Sequence, residues 1–266
     1  MDPLNMLPRE HGAWAIVLAP LLIGFLAAPA FSPHAAGLFV LGALAAFLMR
    51  TPLQTLLARR DDHRALRWLA FYAAMVMAGF IPLIFLMERR HLLLFAIPVG
   101  VILAANLAAN LYGRRFDALN EAAGVMALCL TAPAAYYAAS AVLGPQAWAL
   151  WLLCSAFFLG PIFYIKMAAL QHRAAMDPAL LPGLARMRRL SSGYHGLVLA
   201  SISAWVVFGT LSALAAIPFA VAFLKTVMRG YGAPQRANFR ALGYMEVAYS
   251  VLFIIVMSII AQQGLI

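Results

Sequence analysis

Long apolar stretches broken by short polar punctuation dominate this chain, with none of the strict alternation of half-buried strands. Apolar runs of about 20 residues match the hydrocarbon core of a bilayer. The pattern divides into nine such runs: 13–31, 35–57, 65–87, 91–112, 119–142, 146–168, 193–213, 214–229 and 243–263. Ser32-Pro33-His34, Glu88-Arg89-Arg90-His91 and Gly144-Pro145 mark three clear breaks. The seventh and eighth runs adjoin, with Ile217-Pro218 as a weak marker, so an eight-span count competes with nine. Lipid cannot satisfy free backbone groups, so apolar runs of this length must be helical. The expected fold is an all-α polytopic transmembrane bundle, one integral-membrane domain over residues 1–266, with no internal repeat. The first run opens on Pro-Arg-Glu-His-Gly-Ala-Trp, has no clear cleavage site, and reads as a span rather than a signal peptide.

Composition agrees. Hydrophobic residues make up 65% of the chain and charged residues 11%, whereas a soluble domain carries about 25% charged residues. Charge then orients the bundle. With nine spans, seventeen of the nineteen Lys and Arg residues fall toward the N-terminal side, and only Arg89 and Arg90 fall on the other. Cytoplasmic loops carry the excess of Lys and Arg. The expected location is therefore a bacterial inner membrane, with the N-terminus cytoplasmic and the C-terminus external. The net charge of +10 suits an anionic leaflet, and nothing resembles a nucleic-acid-binding module. The expected cytoplasmic loops are 58–64, 113–118, 169–192 and 230–242; the outer connections are short. Cys129 and Cys154 lie within apolar runs and suggest neither a disulfide framework nor a CxxC site.

Candidate chemistry gathers at the cytoplasmic ends of the spans. Arg9-Glu10-His11 with Trp14 opens the first, either as an interfacial anchor or as part of a polar pocket. Arg50 and Gln54 share a face of the second helix, with Pro52 between them. The run Arg59-Arg60-Asp61-Asp62-His63-Arg64 reads as a solvated loop, its adjacent Asp residues poorly placed for one metal. Asn106 and Asn110 stand one turn apart near the end of the fourth span, ahead of Tyr112, Arg114 and Arg115. Interhelical hydrogen bonding and ligand contact are both open to the two amides. Glu121 opens the fifth span and needs a cation, for which Arg114 or Arg50 would serve. Tyr164 and Lys166 close the sixth, with Gln171, His172 and Arg173 beyond; loop 169–192 has the length of a lid or binding segment. Arg240 and Glu246 flank the start of the last span, where an ion pair to another helix is the simple reading. HExxH, GxSxG, P-loop and GxGxxG signatures are missing. All six His residues read as lying at or near span ends, which disfavours haem ligation. Ionisable groups at one face, rather than at the midplane of broken repeats, favour an interfacial pocket over a translocation path.

The start Pro8-Arg9-Glu10-His11-Gly12-Ala13-Trp14 and the later Gly243-Tyr244-Met245-Glu246 resemble the YwiC-like family of bacterial membrane proteins. The stretch Leu111-Tyr112-Gly113-Arg114-Arg115-Phe116 through Asn120-Glu121 to Ala132-Pro133-Ala134 resembles the link between the fourth and fifth helices of UbiA-type prenyltransferases. That second resemblance implies two Asp-rich motifs holding Mg²⁺ on an isoprenoid diphosphate. This chain departs from it, reading Arg50-Thr51-Pro52-Leu53-Gln54 at the first place and Phe163-Tyr164-Ile165-Lys166 at the second. Mg²⁺ needs oxygen ligands, so no metal and no cofactor is expected. The reading is a cationic, cytoplasm-facing pocket for an anionic lipid-like molecule, isoprenoid or phospholipid in type, and group transfer is the reaction class. Arg9, Arg50, Gln54, Asn106, Asn110, Arg114, Lys166 and Arg173 would bind the ligand, and Glu10, His11, Glu121 and Glu246 would position or exchange protons. The expected partners are membrane lipids, with protein partners left open. A non-catalytic scaffold and a transporter are the alternatives.

Overall fold

In a computed structural model, the structure describes residues 11–59, 61–111, 118–233 and 237–264. The chain folds into helices α1 (His11–Ala27), α2 (Pro33–Ala58), α3 (His63–Ile81), α4 (Leu92–Leu111), α5 (Ala118–Cys129), α6 (Thr131–Ser140), α7 (Pro145–Ala174), α8 (Leu181–Val207), α9 (Ala216–Gly230) and α10 (Phe239–Gln262). Eight helical segments are long and apolar enough to cross a membrane, and Ala13–Ala27 is a shorter apolar helix beside them. The protein is a multi-pass helical membrane bundle. Short links reverse the chain between segments, so α1, α3, α5, α8 and α10 begin on one face, here the N-terminal face.

Small residues set the packing. A Cβ placed on Gly79 of α3 would lie 2.6 Å from the Gly42 amide nitrogen of α2 and 2.6 Å from the Leu38 carbonyl oxygen. Gly24 of α1 is tighter still, its Cβ position lying 2.2 Å from the Ala132 carbonyl oxygen of α6. With no hydrophobic drive between helices in lipid, this closeness supplies the dispersion contact that holds them. The opposite half of the bundle packs aromatic residues instead. Phe157 of α7 stacks on Phe253 of α10 at 4.2 Å between centroids, with Phe158 and Phe219 edge-on around the pair.

Two expectations are corrected. Residues 169–192, expected as a long loop, are mostly helical: α7 runs on to Ala174, a 3-10 turn covers Pro178–Leu180, and α8 begins at Leu181. The stretch is polar, but Ala, Leu, Met, Gln and Arg are good helix formers, and leaving the bilayer removes the demand for apolar side chains without removing helix propensity. The seventh and eighth spans are separate helices, but the break lies at 208–215 rather than near Pro218. Gly209 adopts φ +70°, which Gly alone takes freely, and the Ser212 hydroxyl accepts from the Leu214 amide at 3.3 Å. Pro218 sits in the first turn of α9, where a missing N–H costs nothing.

The fifth span is divided between α5 and α6 at Leu130. Pro133 lacks an N–H, and neighbours take up nearby carbonyls: Thr131 Oγ1 donates to Leu128 O (2.6 Å) and Trp151 Nε1 to Met126 O (3.1 Å). Such repair is what makes a helix break tolerable within lipid. At the end of α3, Pro82–Leu86 forms a π-helical turn closed by Met87 N to Pro82 O at 2.9 Å.

Candidate functional site

The α2–α3 hairpin and the α4–α5–α6 layer do not close fully on one another. Between them runs a cavity of about 560 Å³, with Val17 of α1 at its back. Its walls are apolar over almost their whole length: Phe39, Phe47, Phe80, Phe95, Val99 and Leu103 are representative. Along α4 the lining runs from Leu92 to Asn106, about 21 Å at the helical rise of about 1.5 Å per residue. Arg50 and Asn106 are the polar lining residues toward the N-terminal face, and Thr131 sits at the α5–α6 break.

Local sequence explains why the polar end is built there. Arg50 is carried on the penultimate turns of α2 and is half-buried. Among the described residues it forms no ion pair. Asn106 bends back to donate from Nδ2 to the Ile102 carbonyl (3.0 Å), leaving Oδ1 toward α5. Gly124 stands opposite, its Cβ position 3.4 Å from that oxygen. One helical turn from Gly124 toward the N-terminal face, Glu121 pairs with Lys166 of α7 at 2.8 Å, with side chains 29% and 32% exposed. Among the described residues Glu121 thus finds a cation on α7 rather than in Arg50, while Arg114, also weighed for it, lies outside them.

The expected site residues therefore occupy several places. Arg50 and Asn106 line the cavity, and Glu121 with Lys166 lies just beyond its polar end without lining it. Gln54, one turn past Arg50, is half-buried and outside the lining. Arg173 is exposed near the end of α7. Glu246 belongs to another part of the bundle, paired with Lys225 of α9 at 2.5 Å. Arg9, Glu10 and Arg114 lie outside the described residues; His11 begins α1 and Asn110 lies in α4, with their side chains likewise outside them. Asp62 caps α3, its Oδ1 accepting from the Arg64 and Ala65 amides at 3.0 Å each. Trp14 packs edge-on against Phe47 at 5.2 Å. No group of three His, Cys, Asp or Glu residues suited to a metal occurs among the described residues.

Lys225 was the residue missed. Its ammonium sits over the rings of Tyr164 (4.5 Å) and Tyr249 (4.1 Å) while bonding Glu246, and the paired side chains are only 9% and 15% exposed. A lone Lys within an apolar span is a signal in itself. His195 is a correction of the same kind. It lies well inside α8, buried, with Nδ1 2.8 Å from the Ser191 carbonyl and Nε2 2.8 Å from the Cβ position at Gly160.

The YwiC-like protein family matches residues 7–136, a segment that contains every lining residue of the cavity. An uncharacterised protein YwiC of Bacillus subtilis (strain 168) is 27% identical over 215 residues, covering 77% of this chain and 87% of that protein. No solved structure matches the chain. The opening Pro-Arg-Glu-His-Gly-Ala-Trp falls within the matched segment, and over that segment the chain is similar to the YwiC-like family.

Proposed function

We propose that this protein is an inner-membrane receptacle for an amphiphile with one anionic head and an apolar tail. The tail lies along the apolar cavity between α2–α3 and α4–α6, and the head meets Arg50 and Asn106. A single observation carries the reading. Arg50 faces the end of an otherwise apolar cavity, half-buried, with no carboxylate beside it among the described residues. A cation held at membrane depth calls for a counter-charge, and a guanidinium offers a carboxylate or phosphate two parallel hydrogen bonds. The volume falls within the usual range of small-molecule sites, about 300–1,000 Å³. The excess of Lys and Arg on the N-terminal face supports placing the head-group end toward the cytoplasm.

Lys166 and Glu121, one turn further out, extend the polar end, with Glu121 the carboxylate placed to exchange a proton with a bound head group. Arg9, Glu10, His11 and Arg114 remain proposed members of the same end. If the bundle is UbiA-like, the lost Asp motifs favour direct neutralisation by Arg over metal-assisted ionisation. That loss also supports a second reading, in which the ligand is held without being transformed.

Native mass spectrometry of purified protein tests the receptacle. Arg50→Ala is expected to lose the co-purifying anionic lipid. Ala46→Trp, which fills the cavity, is expected to lose it with the head-group contacts left in place. Lipid retained in both variants at the wild-type level refutes the proposal. Incubation with Mg²⁺ and a prenyl diphosphate separates transfer from holding: pyrophosphate release supports transfer, and retained lipid without release supports a binding protein.

A further inference from the structure

The ends of α7, α8 and α9 at the N-terminal face contain buried polar atoms that the cavity does not use. Gln171 Oε1, Arg188 Nε, Ser191 Oγ, Ser192 Oγ and Arg229 Nε are shielded from solvent and have no hydrogen-bond partner; among the described residues only Ser155 Oγ shares that condition. Gln171, Arg188, Ser192 and Arg229 meet at the end of α9, and Ser191 directly precedes Ser192 on α8. Gln171 Nε2 donates to the Arg229 carbonyl at 2.8 Å, and Arg188 Nη2 donates to the Gly232 carbonyl at 2.8 Å. Ser192 Oγ lies 3.9 Å from the Cβ position at Gly230. The Arg229 side chain turns toward the Tyr164 hydroxyl.

Buried polar groups are nearly always satisfied, and several left over in one place point to a partner not yet accounted for. Two of these atoms belong to guanidinium groups, and neither group forms an ion pair among the described residues. The buried carboxylate of this half, Glu246, is already engaged by Lys225. Water would satisfy the hydroxyls and the amide but would leave the charge uncompensated, which is costly at this depth. An oxyanion does both. Its oxygens accept from Arg188 Nε, Arg229 Nε and the two serine hydroxyls, and a remaining acidic proton gives Gln171 Oε1 the donor it lacks.

We propose that the ends of α7, α8 and α9 form a binding site for a phosphate-type oxyanion, separate from the Arg50 cavity. The group is a hydrogen phosphate or phosphomonoester, supplied free or as a lipid head group.

The test uses the full-length protein in an uncharged detergent or in phosphatidylcholine nanodiscs. Calorimetric titration with inorganic phosphate probes the free ion, and nanodiscs containing phosphatidic acid probe the head group. Binding of phosphate assigns a free anion, and binding of phosphatidic acid alone assigns a lipid. The double variant Ser191→Ala with Ser192→Ala, which changes no charge and little volume, is expected to weaken binding roughly tenfold or more. Arg188→Gln is expected to weaken it further, with folding checked by circular dichroism and gel filtration. Arg50→Ala is expected to leave it unchanged, so this site can stand or fall independently of the cavity. Binding of neither probe, wild-type binding by the double serine variant, or loss of binding in Arg50→Ala overturns the proposal.

Discussion

Gly24 and Gly79 set how closely their helices approach, and the contacts are with backbone atoms that cannot rotate away. Gly24→Ala and Gly79→Ala are each expected to destabilise the bundle by about 1–3 kcal/mol through overpacking. Gly37, with open space at its Cβ position, is the control: its replacement by Ala is expected to be neutral, or to stabilise by up to about 1 kcal/mol through helix propensity. Thermal unfolding in detergent distinguishes the two outcomes, and equal midpoints for all three variants would contradict the packing argument. The buried ion pair gives a second expectation at this scale. Lys225→Ala strands the Glu246 carboxylate, at a cost of about 3–5 kcal/mol, whereas Lys225→Met combined with Glu246→Leu removes both charges and is expected to cost much less. A double variant as unstable as the single one would show that the charges themselves hold α9 to α10.

Among the elements, α7 and α8 stand out by length. Their 30 and 27 residues span about 45 and 40 Å at about 1.5 Å per residue, against a hydrocarbon core of about 30 Å. Part of each helix must therefore project, and the polar residues from Gln171 to Arg189 place the projection on the N-terminal face. The two native cysteines are buried in α5 and α7, so an introduced thiol reports cleanly. Arg173→Cys is expected to react with a membrane-impermeant reagent in inside-out vesicles and Glu88→Cys in right-side-out vesicles. The reverse pattern would invert the proposed topology. Gln171 and Arg188 show why this hairpin was hard to read. Their polarity signals departure from the bilayer, but a chain leaving lipid can stay helical, and polarity does not distinguish the two.

Across the whole molecule, the match to the YwiC-like family ends at residue 136, close to where the architecture changes character. Before that point lie the small-residue crossings and the apolar cavity. Beyond it lie the aromatic cluster around Phe157 and Phe253, the Lys225–Glu246 pair and the orphaned polar atoms of α7–α9. The two proposed ligand sites fall on either side of this boundary. Loss of lipid in Arg50→Ala alongside unchanged phosphate binding is the combined result expected of the intact protein.

The helical class, the membrane setting and most helix boundaries followed from the sequence alone, because a bilayer admits only long apolar segments whose backbone bonds close internally. Arg50 and Asn106 were also legible as candidates, because polar side chains within apolar runs are few. Which of those polar residues meet was decided by the tertiary structure. Lys166 turns to Glu121, Lys225 captures Glu246, and Arg50 is left facing the cavity, because side-chain partnership depends on which helices pack together and at what rotation. Helical periodicity fixes a residue's face on its own helix but says nothing of the helix opposite.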